Sequence, residues 1–327
     1  MSSSPGSPPS APVQASPAAR TRPSAAPALI WLALLIVYVI WGSTYLGIRV
    51  AVETLPSLLS ASARFAAAAI LLGLVLRLRR GRGALAVTPR QLGGAALVGV
   101  LLLTGGNGLV VLAESGPPGT AVPSGIAALL IATVPLLVVV LRAATGDRPR
   151  PPTVIGVLAG FAGLAVLVVP GGGGAVPIVG ALTVVAAAAS WSLGSFLSGR
   201  VSMPRDPFVA TVYEMVAGSA ALALLGAARG EVATLDLGAV SGRSWLALTY
   251  LTVAGSLIAF TAYVWLLHHA PISLVATYAY VNPVVAVTLG ALLVAEPVTP
   301  QVLVGGAVIV AGVALVVAIE RPRRRPD

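Results

Sequence analysis

Two ionisable residues stand deep inside apolar stretches of this chain, Arg64 and Glu214, and they are 150 positions apart. An arginine in hydrocarbon costs at least about 2.5–3.5 kcal/mol, so it should face a cavity or a partner. A guanidinium in that setting can anchor an anion, and a buried carboxylate can carry a proton. Arg64 is therefore a candidate substrate-binding residue and Glu214 a candidate coupling acid. The competing reading is a structural ion pair, or an arginine reaching toward its own helix carbonyls.

Other polar groups recur at the same spacing. Trp41-Gly-Ser43-Thr-Tyr45 is matched 150 residues later by Trp191-Ser-Leu-Gly-Ser195. A tryptophan beside glycine and serine can line an aromatic wall with hydroxyls that orient a ligand, so Trp41, Ser43, Trp191 and Ser195 join the candidate site. Close helix packing by small residues is the alternative. Asn107, within Gly105-Gly-Asn-Gly108, needs a partner if buried. Tyr278-Ala-Tyr280-Val-Asn282-Pro283 places Tyr278 and Asn282 on one helical face. Pro283 frees the carbonyl of Ala279, and Pro135 that of Ile131. Tyr278, Tyr280 and Asn282 complete the candidate set. His268-His269 lack a third ligand nearby, so no metal site is expected. The chain has no cysteine, which removes disulfides and thiolate chemistry. No cofactor motif is evident.

The elements that carry these residues must be membrane helices. The chain is 57% hydrophobic and 9% charged, against about 25% charged in soluble domains. Ten apolar segments approach the length that crosses a bilayer core of about 30 Å. They fall near 28–50, 56–76, 92–113, 120–141, 152–169, 176–197, 207–225, 244–267, 271–293 and 302–319. All 20 basic residues are arginine. Sixteen of them fall on one side of this alternation, and only Arg49, Arg229 and Arg243 on the other. By the positive-inside rule both termini are cytoplasmic. This scatter argues against nucleic acid as the partner of a +10 chain.

The segments also repeat. Ala132-Thr-Val-Pro135, Asp147, Gly156 and Gly163 are followed roughly 149 residues later by Val281-Asn-Pro283, Glu296, Gly305 and Gly312. Ten spans in two copies means five per copy, and an odd number inverts the second copy. The expected fold is thus all-α, ten transmembrane helices as two inverted five-helix repeats, a transporter design with substrate near the midplane. The halves are 28–169 and 176–319. A disordered tail (1–27) and a basic tail (320–327) flank them. On this topology Arg64 and Glu214 lie about 12 and 10 Å from opposite surfaces, hence at similar depth. The glycine pairs Gly156/Gly160, Gly156/Gly163 and Gly305/Gly312 read as packing faces. Asp147 and Glu296 read as favourable charges before the next helix. Trp31 and Trp245 read as interfacial belt residues.

With Tyr38-Val-Ile-Trp-Gly-Ser-Thr-Tyr-Leu-Gly-Ile-Arg49, Ala63-Arg64-Phe65, Asn107-Gly-Leu, Pro123-Ser-Gly-Ile-Ala-Ala-Leu129, Ala132-Thr-Val-Pro135, Tyr278-Ala-Tyr-Val-Asn-Pro283 and Glu296, the chain resembles the EamA family of the drug/metabolite transporter superfamily. The resemblance runs from about 28 to 319. It implies a bacterial inner-membrane carrier, often an exporter of amino acids, metabolites or toxic compounds. Three features depart from the pattern: Asp147 for Glu, a long link at Glu114-Ser-Gly-Pro-Pro-Gly-Thr120, and Glu214 in place of a neutral residue.

The expected function is export of small organic molecules by alternating access in a lipid bilayer, with protons as the candidate coupling ion and no oligomeric state assigned. A polytopic membrane enzyme acting on lipid-linked substrates would need a cluster of acids or histidines at one face. A non-transporting scaffold would need no polar cavity.

Overall fold

Apolar residues in hydrocarbon leave each backbone N–H and C=O to be satisfied within its own segment, and the helix does this. The computed structural model describes residues 27–116, 120–168, 177–270, 272–275 and 277–319, and these contain no strand. Ten helices follow in order: α1 Pro27–Ala51, α2 Ser57–Arg80, α3 Pro89–Glu114, α4 Ser124–Ala144, α5 Pro151–Val168, α6 Ile178–Ser198, α7 Pro207–Ala228, α8 242–269, α9 Tyr278–Val294 and α10 Pro300–Ile319. Eight are long and apolar enough to cross a membrane; α5 and α9 are shorter. The tails 1–26 and 320–327 and the glycine run 171–174 lie outside the described residues.

Several boundaries differ from the expected ones for local reasons. α2 continues through Arg77, Arg79 and Arg80, where basic side chains suit the negative end of the helix dipole. α3 starts early because Thr88 and Gln91 form a reciprocal capping box. α4 is interrupted at Ala132 and Thr133, just ahead of Pro135. Its counterpart α9 runs straight through Pro283, and a separate single turn, Ile272–Val275, precedes its start at Tyr278. Asp206 caps α7 by accepting from the N–H groups of Phe208 (2.8 Å) and Val209 (3.3 Å), and it pairs with Arg80. Partial burial raises its carboxyl, but Arg80 and the two N–H groups outweigh that and hold it below the usual carboxylate range. The link is present at neutral pH and is lost as pH falls through that lowered value.

The two halves pack by exchanging partners. α1 lies against α8 and α9, and the corresponding helix α6 lies against α3 and α4. α2 meets α8, and α7 meets α3. Three contacts map onto themselves: α2 with α7, α4 with α9, and α5 with α10. This is the contact pattern of a two-fold repeat, and with five helices in each half the second copy is inverted relative to the first. The α5–α10 contact is made by the expected glycines. A Cβ at Gly312 would lie 2.7 Å from the Gly156 oxygen, and one at Gly163 would lie 2.8 Å from the Gly305 oxygen. Leucines and isoleucines such as Ile70 and Leu224 cover the outside, where hydrocarbon would meet them, and Trp31 and Trp245 stand exposed near helix ends.

Candidate functional site

The exchange of partners is centred on two unusual stretches of backbone. α3 turns π-helical over Val100–Gly108 and α8 does so over Leu251–Ala259, at corresponding positions in the two halves. A π stretch widens the helix and lengthens each hydrogen-bonded loop by one residue; such stretches gather at functional sites. In α8, Ser256 Oγ reinforces the wider turn by donating to the Leu251 carbonyl.

Each π stretch receives side chains from the opposite half. Trp41 of α1 donates its indole N–H to the Gly255 carbonyl (3.2 Å). Arg64 of α2 donates from Nε to Ser256 Oγ (3.0 Å), and its Cζ lies 4.9 Å from the Phe65 ring centre. On the related side, Trp191 of α6 lies over Gly106, where a Cβ would stand 2.7 Å from its ring. Ser190 donates to the Leu101 carbonyl (2.7 Å), and the Glu214 backbone lies against Gly99. The spacing of 150 therefore reflects equivalence rather than contact. Arg64 and Glu214 sit against opposite π stretches, and no ion pair joins them among the described residues.

Of the sequence candidates, Trp41 and Tyr278 come together. Their ring centres are 5.3 Å apart, and Tyr263 completes a cluster at 5.0 Å from Trp41 and 5.8 Å from Tyr278. Tyr38 hydrogen-bonds Thr277 beside it. Tyr263 gave no signal in the sequence because its repeat partner is not aromatic. Ser43 donates to the Ile40 carbonyl (2.8 Å) and meets the Tyr250 hydroxyl, which ties α1 to α8. Asn282 and Asn107 each have a buried Oδ1 with no hydrogen-bond partner in the protein, and Arg64 Nη1 is in the same condition.

Two candidates fall elsewhere. Tyr280, two positions from Tyr278, is carried to a different face and packs with the core beneath α4, α6 and α10. Ser195 is exposed, and the hydroxyls that α6 buries or bonds inward are Ser190 and Ser192. Helical rotation decides the first case: at about 100° per residue, Tyr280 stands about 200° round the helix from Tyr278.

At the opposite end of the bundle from the Tyr38–Thr277 contact lies a set of acids that the sequence presents as loop residues. Glu114, the last residue of α3, is fully buried, and neither carboxylate oxygen has a partner in the protein. Arg49 Nη1 donates to the Glu114 backbone carbonyl at 2.7 Å. Glu296 does not serve α10. It reaches across to α4, accepting from Ser124 N (2.7 Å), Ser124 Oγ (3.1 Å) and Gly125 N (3.1 Å). Glu231 does the same for α2, accepting from Leu58 N (3.0 Å) and Leu59 N (2.9 Å). Asp147, the sequence counterpart of Glu296, pairs instead with Arg142 (2.8 Å).

The EamA-like transporter family matches the chain twice, over residues 28–169 and 178–318. The chain is 41% identical over 259 residues to "Uncharacterized inner membrane transporter YedA" of Escherichia coli K12, covering 79% of this chain and 80% of that one. It is 30% identical over 305 residues to "Probable terminal-alkyne amino-acid exporter" of Streptantibioticus cattleyicolor, covering 90% and 95%. A solved structure described as "Crystal structure of protein" has the same fold, with a TM-score of 0.60 at 23% identity, covering 91% of this chain and all of that one.

Proposed function

This chain is a member of the EamA-like transporter family and a multi-pass inner-membrane transporter, and from that premise we propose that it exports small organic molecules, amino acids among them, by alternating access between its two halves. The observation that carries the reading is the set of buried polar atoms without protein partners, Arg64 Nη1, Asn107 Oδ1 and Asn282 Oδ1, drawn from both halves of an apolar chain. Unsatisfied buried polar groups cost about 1–3 kcal/mol each, and a polar ligand that met them would recover that cost. A guanidinium suits a carboxylate, amide oxygens suit an ammonium or hydroxyl, and the Trp41–Tyr263–Tyr278 cluster suits an apolar or cationic group. The amino-acid exporter among the relatives supports the same substrate class. Membrane catalysis and scaffolding lose ground because the relatives are named as transporters.

In this reading the halves, 28–169 and 176–319, rock against each other, and the tails 1–27 and 320–327 lie in the cytoplasm. Protons drive the cycle, with Glu214 as the coupling acid. Purified protein in liposomes should move at least one member of a panel of amino acids and small metabolites. Trp41→Ala should lower that rate about tenfold, as expected from loss of one well-packed aromatic contact worth about 1.4 kcal/mol. A protein that moves nothing across such a panel, in either direction and with or without a pH gradient, would contradict the proposal.

The orientation has its own test, made simple by the absence of cysteine. A thiol introduced by Asp236→Cys, in the α7–α8 connection, should react with an impermeant maleimide on intact cells. One introduced by Arg82→Cys, in the α2–α3 connection, should react only after permeabilisation. The reverse result would turn the molecule over.

A further inference from the structure

A carboxylate that reaches from one half to a helix start in the other is a contact that must break when that side opens. Glu296 is built for this contact by three local features. Ala295 adopts a left-handed conformation (φ 53°), unusual for a residue with a Cβ, and turns the chain back at the end of α9. Gly290 has no side chain, and a Cβ there would collide with the Glu296 carboxylate and lie 3.2 Å from Ser124 Oγ. Ser124 and Gly125 then present two N–H groups and a hydroxyl, which hold the carboxylate at the positive end of α4.

Glu114 lies beside this latch: the carbonyl of its neighbour Ala113 accepts from the N–H of Val122 (2.8 Å), two residues before Ser124, and Arg49 donates to its own carbonyl (2.7 Å). The groups that face it are Tyr45 and Arg49 from α1 and Glu296 from the α9–α10 connection. α6 brings no titratable side chain, the Arg142 of α4 is at that helix's far end, and α2, which also packs against this end of α3, carries Arg64, whose Nε is held by Ser256 of α8. With both oxygens buried and without donors, this arrangement accommodates the neutral acid, since an ionised carboxylate there would lack any hydrogen bond.

We infer that Glu114 is a proton-binding site on the outer side of the transporter, and that loss of its proton releases the Glu296 latch from α4. The proton leaves to the outer water. Two carboxylates then share one site with a single guanidinium, and like charges at short range disfavour that state. Arg49, already on the Glu114 backbone carbonyl, can turn to the new carboxylate. Glu296 gains by moving away, which frees the Ser124 and Gly125 N–H groups and lets α4 part from α9. Protonation of Glu114 from the outside restores the latch. The inference rests on the transporter reading and on the orientation proposed above.

The test needs no substrate. Val122 is fully buried, two residues before Ser124, with its N–H on the Ala113 carbonyl (2.8 Å). Val122→Cys supplies a thiol that reports opening of this end. Its reaction with an impermeant maleimide is measured on cells across outer pH of about 5.5 to 8 and normalised to the exposed Asp236→Cys thiol, which cancels intrinsic thiol ionisation. The normalised rate should rise with pH, by about tenfold for each pH unit through the transition at most, as one proton allows. Added Glu114→Gln should hold it low and flat, and added Glu296→Gln should hold it high and flat. A rise that survives Glu114→Gln, or a thiol that stays protected in Glu296→Gln, overturns the inference. If Glu114→Gln does not reach the membrane, the Glu296→Gln arm decides alone. Because no transport is measured, a chain that moves none of the tested solutes could still pass, and an active transporter could still fail.

Discussion

Replacing Gly99 with leucine should remove the folded protein from the membrane, while Gly93→Ala, in the same helix, should leave it intact or slightly more stable. A Cβ at Gly99 would stand 2.6 Å from the Glu214 Cα and closer still to its carbonyl oxygen. Both are backbone atoms and cannot swing aside. The contact is reciprocal, since a Cβ at Gly218 would lie 2.7 Å from Leu103 Cβ and 3.1 Å from the Gly99 oxygen. α3 and α7 are thus held at backbone distance just where α3 turns π-helical, and any added side chain forces them apart. Overpacking costs about 1–3 kcal/mol even where side chains can adjust. Here Gly99→Ala should reach the top of that range, and Gly99→Leu should exceed what a protein of ordinary stability survives. A Cβ at Gly93 meets nothing, so Gly93→Ala should gain up to about 1 kcal/mol from helix propensity and chain entropy. Detergent-extracted yield and thermal midpoint measure all three. Equal tolerance of alanine at both glycines would show that α3 and α7 do not approach this closely.

Gly99 also shows where sequence reasoning stops. The α5–α10 face was legible, because its glycines recur at helical spacing within each copy and the two helices are equivalent to each other. The ten spans, their all-α class and the inverted pairing were likewise written in apolar length and in a period near 150. Gly99 and Gly218 were not legible: Gly218 has no glycine at i+4 or i+7, and Gly106, seven residues after Gly99, packs on Trp191 of α6 rather than on α7. The π stretches carry no local signature; a lengthened hydrogen-bonded turn becomes visible only once side chains such as Trp41 and Arg64 are seen to dock on it. Glu114 and Glu296 each sit at the end of an apolar run, where an acid looks like an ordinary loop residue. The partners of Glu296 are 171 and 172 residues away, and Arg49 is 65 from Glu114, so no window along the chain could join them. The same period that revealed Arg64 and Glu214 placed them at similar depth, which is not the same as placing them together. Residues related by a two-fold axis occupy equivalent surroundings, which can be far apart, and these two dock on different helices.

Arg64→Met should abolish transport while leaving stability unchanged or improved. Had Arg64 been one half of a buried ion pair, its removal would strand a charge and cost about 3–5 kcal/mol. Its one hydrogen bond is to the neutral Ser256, and Nη1 has no protein partner, so no carboxylate is stranded. Methionine fills much of the same space without the desolvated charge, which removes at least about 2.5 kcal/mol of insertion cost. The effect on an anionic or zwitterionic substrate runs the other way. Loss of a buried charged contact costs about 2–5 kcal/mol of binding, hence roughly 30-fold or more in affinity. Arg64→Lys keeps the charge but not the planar fork and should fall between the two. Thermal midpoint and liposome uptake, measured on the same preparations, separate the roles. A fall in both together would make Arg64 structural, and wild-type uptake in Arg64→Met would remove it from the site. Glu214→Gln belongs in the same experiment. As the proposed coupling acid it should lose the dependence on a pH gradient, yet keep the pH response of the thiol at position 122, which belongs to Glu114. Glu114 belongs to the outer end and Glu214 to the middle of the proposed path, so these two readouts tell proton coupling at the midplane from proton gating at the outer end.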